Sequence, residues 1–373
     1  MSRDEAEAWL RLTLVPGITP PAQRALLHAF VTPEGVLAAP RACVAEVTDE
    51  SVATLLAQGP ERDLLLATLS WLEARDHHLL AIGAPDYPQA LLHGIGDPPL
   101  VIYAAGRLEL LNQEAIAVVG SRNATAQGRQ NARAFARALS GAGLTIVSGL
   151  ALGIDAEAHR GGLEGRGSSV AVLGTGPDRV YPKDNGALAH ELARDGCLVT
   201  EFALGTPPRA ENFPRRNRLI SGLARAVLVV EAAERSGSLV TAQLAGEQGR
   251  DVFAIPGSIH STLAKGCHKL IKQGAKLVDH ANDILVEIGR APLEPDAAPR
   301  RSEGGDAFLD AMGFDPVTVD QLVERTGKHA AAIGADLTRL QIEGRIAAMA
   351  GGRFQQVDRK SRGARYTSHP DIE

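Results

Sequence analysis

Aromatic residues make up only 4% of the sequence, and cysteine occurs three times, at Cys43, Cys197 and Cys267. An odd number of scattered thiols builds neither a disulfide framework nor a zinc site, and it fits a reducing, cytoplasmic location. Cys267 adjoins His268, but two adjacent ligands without further partners do not complete a tetrahedral metal site. Long apolar runs are also missing, since none reaches the roughly 18 residues of a membrane span. The charged start from Met1 to Glu7 leads into an amphipathic segment and does not read as a signal peptide. Excess positive charge is absent too. With 39 Lys and Arg against 44 Asp and Glu, the formal net charge is −5. Such a chain has no general attraction for polyanions, so any positive field must be local. Glycine, by contrast, is plentiful at 39 residues, within 373 residues that are 45% hydrophobic and 22% charged. That composition describes a globular protein of two or three domains.

Residues 1–80 read as short helices. Leu10 to Ile18 and Thr19 to Leu27 form a helix, a Pro16-Gly17 hairpin and a second helix begun at Pro20 and Pro21. The outline resembles half of a helix-hairpin-helix unit, or a SAM-like domain, and a plain helical packing module is an equal reading. From 84 to 290, apolar runs at 101–103, 116–119, 144–147, 170–173, 197–200, 226–230, 252–255 and 276–278 alternate with helical stretches. Continuous apolar strands separated by helices predict a mainly parallel sheet covered on both faces. The fold class is therefore α/β, an extended Rossmann-like, doubly wound domain. Ligands of such domains sit beyond the carboxyl ends of the strands. Residues 291–305, rich in Pro and Gly, read as a linker. Residues 306–373 predict two helices, at 318–327 and 329–344, and a hairpin around Gly351-Gly352, the outline of a winged helix with a basic tail at Arg359, Lys360, Arg362 and Arg365. Its second helix sets Asp336 and Glu343 against Arg339, which leaves DNA contact, protein contact and a spacer role open.

The chemistry gathers at the predicted strand ends. These carry Gly120-Ser121-Arg122, Ser148-Gly149 through Gly153, Gly174-Thr175-Gly176 with Tyr181-Pro182-Lys183, Ser236-Gly237-Ser238, and Pro256-Gly257-Ser258. Glycine lets backbone approach a ligand closely, and the free amides of a helix start favour an anion. Arg209, Phe213, Arg215, Arg216, Asn217 and Arg218 add four cations, one ring and one amide within ten residues. Arginines that neutralise phosphates, together with a ring for stacking, suit a single-stranded nucleic acid. A second stripe, Arg129, Arg133 and Arg137, falls on one helix face and reads as solvated.

Other ligands fit less well. Gly174-Thr175-Gly176 supplies half of a dinucleotide fingerprint, with Arg179 in the third glycine position. No G-x-x-x-x-G-K-[ST] occurs. Asp155 and His159, four apart on a helix, read as a polar pair that fixes its start, with an acid–base pair or two metal ligands as alternatives. No catalytic residue, cofactor or metal ligand is assigned.

Taken together, these motifs, with Glu231-Ala232-Ala233-Glu234-Arg235 and Gly266-Cys267-His268-Lys269-Leu270-Ile271, resemble the DprA (DNA-processing protein A, Smf) family over about 84–280. The resemblance implies a cytoplasmic protein that binds and protects single-stranded DNA and promotes loading of RecA recombinase in natural transformation. It also implies a homodimer through the Rossmann-like domain. It places Arg122, Lys183 and the Phe213–Arg218 segment along the DNA groove. Ala210 stands where relatives often carry a lysine, with Arg209 beside it. On this reading, charge reversal at Arg122 or Arg216 abolishes binding without harming the fold. The alternative is a nucleoside-monophosphate phosphoribohydrolase of the same Rossmann variant, whose P-G-G-x-G-T loop is not reproduced by Pro256-Gly257-Ser258-Ile259.

Overall fold

The alternating apolar runs assemble into one nine-stranded sheet in the computed structural model, which describes residues 1–294 and 306–357. The strands are β1 (His77–Ala81), β2 (Val101–Gly106), β3 (Ala115–Val119), β4 (Thr145–Ser148), β5 (Ser169–Val172), β6 (Cys197–Thr200), β7 (Ala226–Val229), β8 (Asp251–Ala254) and β9 (Lys276–Leu277). Their order is β1-β2-β6-β5-β4-β3-β7-β8-β9. All neighbours from β6 to β9 pair in parallel, while β2 runs antiparallel to β6, and β1 to β2. Every strand expected between 84 and 290 is present, with bounds within a residue or so except for β2, which runs three residues past the expected end at 103. β1 was not expected. Its register sets His77 against Ala105 and Ala81 against Val101, so it is the sheet's antiparallel edge.

Six helices precede the sheet: α1 (Arg3–Thr13), α2 (Pro20–Phe30), α3 (Pro33–Ala38), α4 (Arg41–Val47), α5 (Glu50–Gln58) and α6 (Arg62–Trp71). Thr19 caps α2, and prolines occupy its first positions, where a missing N–H costs nothing. These helices have a small core of their own around Leu12, Ile18, Leu26 and Val36. A second cluster joins Leu10 and Leu69 to Leu79, Val101 and Tyr103, which mounts the helices on β1 and β2.

The sheet's helices are α7 (Gln89–Gly94), α8 (Ala126–Gly141), α9 (Ile154–Leu163), α10 (Gly186–Asp195), α11 (Asn212–Leu223), α12 (Gly237–Glu247), α13 (Lys265–Lys272) and α14 (Ala281–Glu287). One core cluster packs the sheet against α7, α11, α12 and α13, and another packs it against α8, α9 and α14. The chain builds outward from β3 to β6, then crosses back through α11 to place β7 on the other flank of β3. Loops leaving β3 and β7 therefore diverge and open a crevice between them.

The C-terminal unit comprises α15 (Ala307–Met312), β10 (Val317–Thr318), α16 (Val319–Thr326), α17 (Ala330–Ile342), β11 (Ile346–Met349) and β12 (Arg353–Gln356), with the sheet order β10-β12-β11. This is the expected winged helix. Buried Gln355 of β12 reaches α8, where its Oε1 accepts from the Gln127 amide at 3.1 Å. Most of the expected linker and the whole basic tail lie outside the described residues.

Candidate nucleic-acid interface

The crevice at the carboxyl ends of β3 and β7 is a cleft of about 780 Å³. Arg122, Tyr181, Phe213, Asn217, Arg235 and Ser236 are among its walls.

The loop after β3 is stitched to its neighbours. The Ser121 amide donates to the Glu231 carbonyl at 2.7 Å, and the Ser121 carbonyl accepts from Ile154 at 3.1 Å. Arg122 projects outward with its guanidinium 5.6 Å from the Phe213 ring centre. The loop after β4 is stitched likewise. Ser148 Oγ donates to the Val118 carbonyl at 2.7 Å and is buried, so it joins strands and does not face a ligand. The Gly149 amide donates to Asp155 Oδ2 at 3.1 Å. Gly153 has φ +78, and a Cβ there would lie 2.3 Å from the Ser121 carbonyl oxygen. Only glycine permits that contact.

Asp155 and His159 hold this loop, as the polar-pair reading expected. His159 Nε2 accepts from the Leu150 amide at 3.2 Å, and Nδ1 lies 2.8 Å from Ser169 Oγ. Because Nε2 accepts, the proton sits on Nδ1, and Ser169 Oγ passes its own hydrogen to the Ile146 carbonyl. Burial drives the His159 pKa down to about 3, so the ring is neutral. Burial also raises the pKa of Asp155, opposed by Arg216 and by the amides it accepts.

Arg216 departs from the sequence-based expectation. It does line the cleft, but it is 4% exposed, and its Nη1 donates to the Gly149 carbonyl at 2.8 Å and to the Val172 carbonyl. Burial lowers its pKa to about 10, against the pull of Asp155. Its charge is committed to the fold, so reversing it cannot leave the fold intact. Arg215 and Arg218 also turn elsewhere. Both hold Glu201, at 3.1 and 2.6 Å, and Arg218 also holds Asp97 at 3.2 Å. Burial raises the pKa of Glu201, while Arg218 and Arg215 oppose that rise. Neither arginine is part of the cleft wall.

Phe213, in the first turn of α11, is half-buried beside Gly174, and its ring lies 5.5 Å from that of Tyr181. Tyr181 is 44% exposed. Asn212 anchors the turn through Nδ2, which donates to the Gly174 carbonyl at 3.1 Å. Across the cleft, Ser236 caps α12 by accepting from the Ser238 amide, and the two hydroxyls lie 2.7 Å apart. Asn217 Nδ2 donates to the Gly237 carbonyl at 3.4 Å. Lys183 and Arg209 are exposed at the margin, each a neighbour of wall residues, Tyr181 for the first and Pro208 and Ala210 for the second. Among the described residues, Arg122, Lys183, Arg209 and Arg235 have no carboxylate within 4.0 Å.

Sequence reasoning left Tyr181 and Arg235 out of the candidate set. An exposed ring in an aromatic-poor chain, and an arginine just before a helix-capping Ser-Gly-Ser, were the signals available. The cleft thus offers two rings, free guanidinium groups and the amino end of an eleven-residue helix. Among the described residues no group of three or more His, Cys, Asp or Glu could hold a metal ion, and no helix is long and apolar enough to cross a membrane.

Fold and site together define an extended Rossmann-like protein with a switch-point cleft suited to anions and a winged helix behind it. Residues 78–289 match the family model for DNA recombination-mediator protein A, and residues 279–352 match that for the DprA winged helix domain. The chain belongs to the DprA/Smf family. Protein Smf of Escherichia coli K12 is 44% identical over 303 residues, covering 78% of this chain and 80% of the relative. DNA processing protein DprA of Streptococcus pneumoniae R6 is 47% identical over 197 residues, 53% of this chain and 70% of the relative. The X-ray structure of S. pneumoniae DprA superposes with a TM-score of 0.65 at 37% identity, covering 77% of this chain and 98% of that one. Helicobacter pylori DNA processing protein A, whose single-stranded DNA binding mode has been described structurally, gives 0.52 at 27% identity over 57% of this chain and 95% of that one.

Proposed function

We propose that this protein binds single-stranded DNA in the switch-point cleft, without altering it chemically, and promotes loading of RecA recombinase onto the strand in natural transformation and recombination. One observation carries the DNA reading. Two rings, Phe213 and Tyr181, share a cleft with the unpaired guanidinium groups of Arg122 and Arg235 and the start of α12. Rings accept bases of any sequence, while cations and helix amides take phosphates. Lys183 and Arg209 extend the phosphate track at the margin. Transfer to RecA and a homodimer through the Rossmann-like domain belong to the same reading and rest on family membership.

Titration of a fluorescent oligothymidylate at two salt concentrations tests the DNA reading. Each phosphate contact is expected to contribute about −0.7 to the slope of log K against log salt. Phe213→Ala is expected to cost about 1–3 kcal/mol of affinity. Affinity that ignores both salt and Phe213 refutes the reading.

A further inference from the structure

β1 leaves one edge of the large sheet open. Its pairing with β2 is flanked by bonds from the Ile82 amide to the Leu100 carbonyl at 2.8 Å and from the Gly106 amide to the Asp76 carbonyl at 2.9 Å. Backbone groups in an antiparallel pair turn alternately toward and away from the partner strand. Even-numbered residues of β1 therefore face β2, while His77, Leu79 and Ala81 turn their groups to the free edge. Two of these groups are used locally, since the His77 amide donates to Ala74 and the Ala81 carbonyl accepts from Ala84. The His77 carbonyl, both groups of Leu79 and the Ala81 amide have no partner among the described residues. An open edge is ordinarily left to water, yet Leu79 is 5% and Ala81 2% exposed. Covered main-chain groups without partners are costly and form a template for a further strand.

The edge borders a slot of about 350 Å³. Four consecutive residues of β1, His77 to Leu80, line it, so it follows the edge and not one face of the sheet. On the Leu79 side its wall is apolar, with Ala6 of α1 and Leu69 and Leu72 at the end of α6, and Arg3 is neutralised there by Glu73 at 3.0 Å. On the Leu80 side stand His78 and Asp86. Burial lowers the pKa of His78, and Asp76 and Asp86 both oppose that fall. Among the described residues neither aspartate has a cationic partner within 4.0 Å. The slot shares no residue with the switch-point cleft. We infer that this edge takes an added strand, an extended segment of a partner protein that completes the β1 ladder with its main chain, sets apolar side chains on the α1–α6 wall and turns lysine or arginine toward Asp86. Amides and carbonyls alternating at strand spacing suit a polypeptide backbone and not a nucleotide strand.

The test adds a short capped peptide of alternating valine and lysine to the full-length chain and follows amide hydrogen exchange. A docked strand shields Leu79 and Ala81, so each tenfold excess of peptide over its Kd is expected to slow their exchange about tenfold. N-methylation of the internal peptide amides is expected to abolish the shielding. Replacing the peptide lysines by glutamate, or Asp86→Lys in the protein, is expected to weaken binding about fivefold. No shielding at about 1 mM peptide, where binding worth about 4 kcal/mol half-fills a site, overturns the inference. So do shielding that survives N-methylation and equal affinity for the lysine and glutamate peptides. Exchange at Leu79 that slows as the protein alone is concentrated also overturns it, because the edge then pairs with a second copy. Leu79 and Ala81 amides that exchange in the free protein as slowly as those bonded to β2 overturn it as well, because the chain then covers its own edge.

Discussion

Arg122 reaches solvent with no carboxylate partner among the described residues, whereas Arg216 lies against the Gly149 and Val172 carbonyls beside Asp155. Arg122→Glu is therefore expected to keep the wild-type unfolding transition and lose oligothymidylate binding. Arg216→Met takes the donor away from the buried Gly149 and Val172 carbonyls, and should cost about 1–3 kcal/mol in urea denaturation. His159 gives a second residue-scale prediction. Its folded pKa of about 3 lies below the ordinary value of 6.5. Its contribution is complete above pH 6.5 and shrinks as the pH falls, because the unfolded chain takes up a proton that the buried ring refuses. Below pH 6.5 this amounts to about 1.4 kcal/mol of stability per pH unit. Chemical denaturation between pH 7 and 5 measures it, and His159→Asn should flatten that part of the profile. The four arginines from 209 to 218 look alike in sequence. What separates them is burial and the position of Glu201, just past β6 and 14 and 17 residues before the two arginines it holds. Neither is legible from the arginines themselves.

At the scale of elements, the loops after β3 and β4 form one interlocked piece. Gly153→Ala forces a Cβ toward the carbonyl oxygens of Ser121 and Arg122, at 2.3 and 2.5 Å, from a φ that side chains avoid. A loss of about 1–3 kcal/mol in stability is expected, together with weaker DNA binding because the Arg122 loop must shift. Calorimetry and the oligothymidylate titration read the two effects. The strands themselves were legible because burial on both faces writes them as unbroken apolar runs, with β3 buried throughout from Ala115 to Val119. β1 was not, since it opens with His77 and His78 and pairs only at the sheet's edge. The phosphate-type turns were legible as glycine with serine, but the partners of their amides were not. Ser121 and Gly149 donate to Glu231 and Asp155, groups 110 and six residues away along the chain.

For the whole molecule, the helical unit and the sheet share a core. A chain starting at residue 84 loses β1 and uncovers Val101 and Tyr103, which pack against Leu10, Leu69 and Leu79. It is expected to unfold at lower temperature than the full chain or to aggregate. A chain ending at residue 294 should keep its oligothymidylate affinity within about twofold, because no described winged-helix residue lines the cleft. Parallel thermal melts and titrations of the two truncations check both outcomes.

The stitching around the cleft also decides which partner gives up freedom on association. Ser121, Gly149 and Leu150 already spend their amides on Glu231, Asp155 and His159, so the mould has its shape before a strand arrives. The disorder lost on docking is then chiefly the polynucleotide's. Runs of thymine, which stack on one another weakly, have little order to surrender, while runs of adenine must first be unstacked before their bases can reach Phe213 and Tyr181.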